Sequence, residues 1–272
     1  YTWTQLHYHT ESDNTDTYSE KVMKANIAVF GSMAIAIDQL PAMSLNMQAT
    51  IDDLKESFNE DLALEAGVSK KDWDKALAVF EKEVDALNKE GQDINNRYVK
   101  AVNSKSDVTS IQKEGKAYNK KVLDLFKYVQ DNFVGIVFSS DVVMKHVGYQ
   151  NNIEYMDEII QDLKKDKVND ALDVAYQLNG LCEYNYYLFS PNAAAKIDAH
   201  ADKAVENNKW WGNDKGYYFT NTKTATSSLL TKEDGDDVSV EIKVYESARK
   251  TQLDYYKEVL ENEILAMNKM GQ

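Results

Sequence analysis

The chain has 272 residues, two prolines, eleven glycines and a single cysteine. That length can bury one large core, and the sparse punctuation favours long helices over strands and tight turns. A formal charge of −14 and a pI near 4.8 repel phosphate backbones, which excludes nucleic acid as a partner. One cysteine, Cys182, excludes an internal disulfide and reads as a small buried side chain.

The chain begins with a histidine cluster. Residues 6–16, Leu-His-Tyr-His-Thr-Glu-Ser-Asp-Asn-Thr-Asp, hold His7 and His9 among Glu11, Asp13 and Asp16. Neutral imidazole is a good zinc ligand, and nearby carboxylates orient it. A His-x-His pair at a chain end is equally the composition of a solvated loop. Thr17-Tyr18-Ser19-Glu20 fits a capping box, which predicts a helix running to about Gln39 and stopping before Pro41. Its middle, Ala25 to Ile37, is apolar nearly all round, so the helix must be covered on several sides.

A second helix is predicted from Ser44 past Phe58. A third begins at Ser69 and carries Trp73, Leu77, Phe80, Val84, Leu87, Ile94 and Tyr98 at spacings of three, four and seven, ending near Val102. That stripe reads as the seam of an intramolecular bundle; a coiled-coil partner surface is the alternative. Polar residues 103–108 connect it to a helix over Ile111–Phe133. Residues 135–149 are less regular. Helices are expected again over Asn151–Lys164 and Val168–Phe189, followed by an alanine-rich piece over 192–205. Residues 207–238 look least helical. Val238, Val240, Ile242 and Val244 alternate like a strand but also fit the start of the last helix, which ends near Met270. No run of apolar residues is long enough for a membrane span, and no signal peptide is visible. Tyr1 stands where an initiator Met is absent, so a processed or truncated product is expected.

No Gly-x-Ser-x-Gly elbow, phosphate-cradling glycine loop or His-Glu-x-x-His helix occurs. No Glu-x-x-His supports a di-iron bundle. His146 and His200 have no neighbouring ligand pair and read as structural or solvated. The chemistry of the chain therefore reduces to its first sixteen residues.

Tyr8-His9-Thr10-Glu11-Ser12-Asp13-Asn14-x-Asp16, with the capped apolar helix after it, resembles the end of the catalytic domain of the co-catalytic zinc aminopeptidases. This is metallopeptidase family 28, which also holds glutamate carboxypeptidase and the inactive transferrin receptor. Gln39-Leu40-Pro41, Leu45-Asn46, the stretch His146-x-Gly-Tyr149-Gln150-Asn151, Trp211-Gly212, and Ala248-Arg249 with Gln252 extend the likeness, but only the His9 segment is specific. The resemblance implies that His9 is a zinc ligand, with Asp13 supporting it from behind. It also implies that Tyr8, His146 and Tyr149 approach the substrate; for the last two, a structural turn between helices is the alternative. The remaining metal ligands and the general-base Glu of the family lie upstream of this motif and have no counterpart here.

The expected fold is mainly α: residues 1–40 as the last loop and helix of an α/β zinc-peptidase domain that is otherwise missing, and residues 41–272 as a helical domain that shapes a cleft or mediates dimerisation. The expected function is the C-terminal portion of a zinc-dependent exopeptidase, catalytically inactive alone and holding no zinc alone. Its partners would be the missing catalytic domain or a second chain, a peptide substrate, and a second copy in a homodimer. An exported or cell-surface location is favoured over a cytoplasmic one. The alternative is a non-catalytic helical interaction or ligand-binding protein, the latter using its many Tyr and Trp side chains.

Overall fold

The computed structural model describes residues 10, 18–135, 144–178 and 222–271, with isolated positions between 190 and 199. His7, Tyr8, His9, Asp13, Cys182, His200 and the Trp210-Trp211-Gly212 turn lie outside the described residues. So do the capping residue Thr17 and the expected helical residues after Leu178.

The described chain is mainly helical. In chain order the helices are α1 (Glu20–Asp38), α2 (Gln48–Ser57), α3 (Glu60–Glu65), α4 (Lys70–Asn103), α5 (Thr109–Phe133), α6 (Lys145–Leu163), α7 (Val168–Ala175), α8 (Lys223–Leu229) and α9 (Ser239–Met270). Among the described residues no strand forms; Val134 and Met144 meet only in an isolated antiparallel bridge. The ambiguous stretch from Val238 is resolved as helix, because Tyr245 and Leu260, on the same helical stripe, are fully buried.

Several boundaries differ from expectation for local reasons. α1 is capped by Ser19, whose Oγ accepts from the Val22 amide at 3.4 Å. The second helix is divided, because Asn59 adopts an extended backbone and caps α3 through the Leu62 amide at 3.1 Å. α6 starts six residues before the expected Asn151. Met144 is extended there and has no side-chain cap, so burial of His146, Gly148 and Tyr149 holds the first turn. α7 stops at Ala175. Three helices end on a left-handed residue: Gly67 after α3, Lys105 after α4 and Asp166 after α6. Each is followed by an amide reaching back five residues, as in Val68 N–H to the Ala63 carbonyl at 2.8 Å.

The chain forms two compact units. One comprises residues 1–45 and 87–122. Its core is Ala42, Ile94, Tyr118 and Val122, with Met43, Leu45, Leu87 and Ile111 packed on it. Two asparagines clamp the segment after α1. Asn95 of α4 accepts from the Ala42 amide at 3.0 Å and donates to the Ala42 carbonyl at 2.9 Å. Asn119 of α5 does the same for the Met43 amide (2.8 Å) and the Pro41 carbonyl (3.0 Å). Glycines one turn earlier on each helix make room. A Cβ on Gly115 would stand 2.5 Å from the Pro41 oxygen, and one on Gly91 would stand 2.4 Å from the Tyr118 hydroxyl.

The second unit comprises residues 46–86 and 123–272. Its apolar centre joins Ile153, Met156, Ile159, Ile160 and Leu163 of α6 to Val168, Ala171 and Leu172 of α7, Ala225 and Leu229 of α8, and Tyr245 of α9. Trp73 and Phe80 of α4 fill a further part of this unit, with Phe80 stacked on Phe133 at 5.6 Å.

Candidate functional site

Of the residues singled out in the sequence, His146 and Tyr149 fall in the described chain, and both sit in the first turn of α6. His146 is fully buried and Tyr149 nearly so. The imidazole bridges two other helices: Nε2 lies 3.0 Å from Ser57 Oγ at the end of α2, and Nδ1 lies 2.8 Å from Glu263 Oε2 on α9. Trp73 of α4 meets the ring edge-on at 5.6 Å and stacks on Phe58 at 4.6 Å.

The order Ser–His–Glu is that of a hydrolytic triad. Ser57 Oγ also lies 2.6 Å from the Asp53 carbonyl one turn earlier, so that carbonyl competes with the imidazole for its single proton. His146 and Glu263 are enclosed, and the network ties the ends of α2, α6 and α9 together. Glu263 is 1% exposed, and its second oxygen, Oε1, has no hydrogen-bond partner. A buried carboxylate oxygen left so costs about 1–3 kcal/mol, so its retention calls for an explanation.

This network belongs to a longer polar seam between α6 and α9. Asn152 donates to Gln252 at 3.4 Å, and the Tyr256 hydroxyl donates to Gln150 at 3.3 Å. Burial pushes the Tyr256 phenol above its usual range, and the charges of Glu263 and Glu154 add to the effect. Further along α9, Arg249 grips two carboxylates at once. Its Nη1 and Nη2 meet Glu65 at 2.6 and 2.9 Å, and Nη2 also reaches Asp157 at 2.8 Å. The Arg249 hydrogen bonds hold the Glu65 carboxyl below its usual range against the opposing effect of burial. Glu241, near the start of α9, is also buried. Burial would raise its pKa, but hydrogen bonds from Ser228 and Lys232 outweigh it and hold the carboxyl low.

Ser57 and Glu263 were not singled out in the sequence; Trp73 was read there only as a helix-seam residue, and Arg249 and Gln252 only as part of the family likeness. Glu263 and Gln252 had a signal: both occupy core positions of the α9 stripe that runs through Tyr245, Gln252, Tyr256, Leu260, Glu263 and Met267. A polar residue in such a register requires a partner.

α1 presents the opposite anomaly. Val22, Met23, Ile27, Val29, Phe30, Met33, Ile35 and Ile37 are all exposed, Phe30 and Ile37 by about two-thirds. Full burial of such side chains is worth about 1.5–3 kcal/mol each, so the uncovered helix forgoes an amount comparable to the whole stability of a domain.

Among the described residues no cluster of three or more His, Cys, Asp or Glu could hold a metal, and no helix is long and apolar enough to cross a membrane. No protein-family model matches the chain, and neither a characterised protein nor a solved structure matches it.

Proposed function

We propose that this chain is the helical portion of a zinc-dependent aminopeptidase-like exopeptidase, completed by an α/β domain on which α1 docks. The observation that carries the reading is the exposed apolar helix placed directly after the His9 segment. With about 100° of rotation per residue, Val22, Met23, Ile27, Val29, Phe30, Met33 and Ile37 fall within a sector of about 160°, and Ile35 alone of the large exposed apolar side chains lies outside it. Ala25, Ala28 and Ser32 lie opposite. A broad sector of large side chains with a narrow strip of small ones behind it suits a helix laid on a sheet with a second helix alongside. A bilayer is a poorer match: the uncharged run between Lys24 and Asp38 reaches about 20 Å, against a hydrocarbon core of about 30 Å.

In this reading His9 supplies one metal ligand from the segment that precedes α1 in sequence, and Asp13 steadies it. One imidazole with a supporting carboxylate does not hold zinc, which needs three or four convergent donors. The other donors and the general base belong to the α/β domain, so the 272-residue chain alone has neither zinc nor activity. When bound there, zinc supplies a water acidified for attack on the peptide carbonyl. Tyr8 lines the substrate side. His146 is enclosed and serves through the helix ends it ties together, and Tyr149, beside Tyr255 of α9, is enclosed as well.

The test is zinc content and aminoacyl-anilide hydrolysis by the protein at its full natural length, with His9→Ala and His7→Ala compared. The reading expects His9→Ala to remove about one metal ion and most of the activity, with His7→Ala mild. Equal effects of the two substitutions would overturn the assignment of His9. A full-length protein with no zinc but with α1 covered would instead be a non-catalytic helical binding protein.

A further inference from the structure

Three short contacts make up the buried network between α2, α6 and α9. The Asp53 carbonyl meets Ser57 Oγ at 2.6 Å, Ser57 Oγ meets His146 Nε2 at 3.0 Å, and His146 Nδ1 meets Glu263 Oε2 at 2.8 Å. Each is a hydrogen bond only if a proton lies between its two atoms. A carbonyl only accepts, so the first proton comes from Ser57, whose hydroxyl has no second one to give to Nε2. The other two contacts therefore call for two protons on the His146–Glu263 pair. An imidazolium beside a carboxylate meets that count, and so does a neutral imidazole beside a carboxyl group. A neutral imidazole beside a carboxylate is one proton short. It would set a bare Nε2 against the Ser57 oxygen and give the enclosed pair a net negative charge, which burial penalises.

We propose that His146 and Glu263 together hold two protons in the folded chain and act as a proton-dependent latch across the ends of α2, α6 and α9. The groups packed on the ring agree with this. α2 brings the uncharged Ser57 and α4 the uncharged Trp73, and α9 brings Glu263. Around the pair, Lys145 and Lys269 line a cavity that Glu263 borders. Tyr256 feels Glu263 and Glu154, and its phenol is pushed up chiefly by burial, so it stays neutral. With both protons in place, all three contacts are hydrogen bonds and the pair has no net charge. Loss of one proton at higher pH breaks the link from Nε2 to Ser57. That weakens the hold on the first turn of α6, which has no side-chain cap of its own. The latch lies within one compact unit and is independent of zinc and of the peptidase reading.

Replacing His7, His9 and His200 by glutamine leaves His146 as the one histidine of the 272-residue chain, so proton–nitrogen correlation spectra report its ring alone. At about pH 7.5, where a free histidine is mostly neutral, a proton on Nε2 is the expected result, and a bare Nε2 overturns the proposal. Urea unfolding of this chain with and without His146→Gln supplies a second measurement. Unfolded histidine gives up its proton above about pH 6.5, while the latch keeps it. The stability that His146 confers is then fully present below that pH. Above it, the advantage in folding constant should fall about tenfold per pH unit until the latch itself loses the proton. An advantage that is flat above about pH 6.5 and declines below it belongs to a pair with one proton and overturns the proposal as well. If His146→Gln does not fold, the Nε2 measurement decides the matter.

Discussion

Replacing Asn95 by alanine removes both hydrogen bonds that hold Ala42, the 3.0 Å bond from its amide and the 2.9 Å bond to its carbonyl. Ala42 is fully buried, so water cannot take over either group, and both stay orphaned unless the segment moves. A hydrogen bond contributes about 1 kcal/mol net, rising to about 1–3 kcal/mol when its loss strands a buried partner. Asn95→Ala should therefore cost about 2–4 kcal/mol. Asn119→Ala also removes two bonds, to the Met43 amide and the Pro41 carbonyl, but these residues are only half-buried. Solvent can replace part of what is lost, and about 1–2 kcal/mol is expected. Urea unfolding followed by far-ultraviolet circular dichroism, with the slope unchanged, measures both. Asn95→Asp adds a control: it keeps the acceptor for the Ala42 amide but sets a carboxylate beside the Ala42 carbonyl, so it should recover little of the loss. A cost below about 0.5 kcal/mol for Asn95→Ala, or a larger cost for Asn119→Ala, would refute the clamp as the device that fixes the chain after α1.

Other substitutions probe the remaining devices. His146→Ala leaves the Glu263 carboxylate buried with no partner and should destabilise by about 3–5 kcal/mol, read from the same urea curves. Lys105→Gly relieves a left-handed backbone at φ 56° and should stabilise by about 0.5–1 kcal/mol, seen as a higher melting temperature. The Glu65 carboxyl is held low by Arg249. Its contribution is thus complete above the unfolded-state pKa and is lost as pH falls through the lower folded value. Glu65→Gln should accordingly lower stability at neutral pH, and the difference from the parent should shrink as pH falls below the ordinary carboxylate range; a difference constant with pH would remove the Arg249 grip from the account.

Much of the helical frame is readable from spacing, because long helices in a bundle repeat their buried side chains often enough to outvote local exceptions. α4 and α5 carry such stripes, and their ends fall within a residue or two of the expected ones. The failures share a cause. α2 and α3 read as one helix in sequence, and the break depends on Asn59 taking an extended backbone, a choice made by a cap over three residues. The early start of α6 depends on burying His146 against Ser57 and Glu263, partners 89 and 117 residues away, which no local pattern encodes. In α9, Val238 to Val244 alternate like a strand, and only the stripe that continues through Tyr256 and Leu260 decides for helix. The same contrast governs function. A cluster such as His7 to Asp16 advertises metal chemistry because its donors are neighbours in sequence. The buried network of Ser57, His146 and Glu263 draws on three helix ends, and its one sequence signal is a carboxylate in a core register. α1 lies between these cases: its apolar run is plain in the sequence, and the folded chain leaves that run exposed instead of burying it in a core of its own.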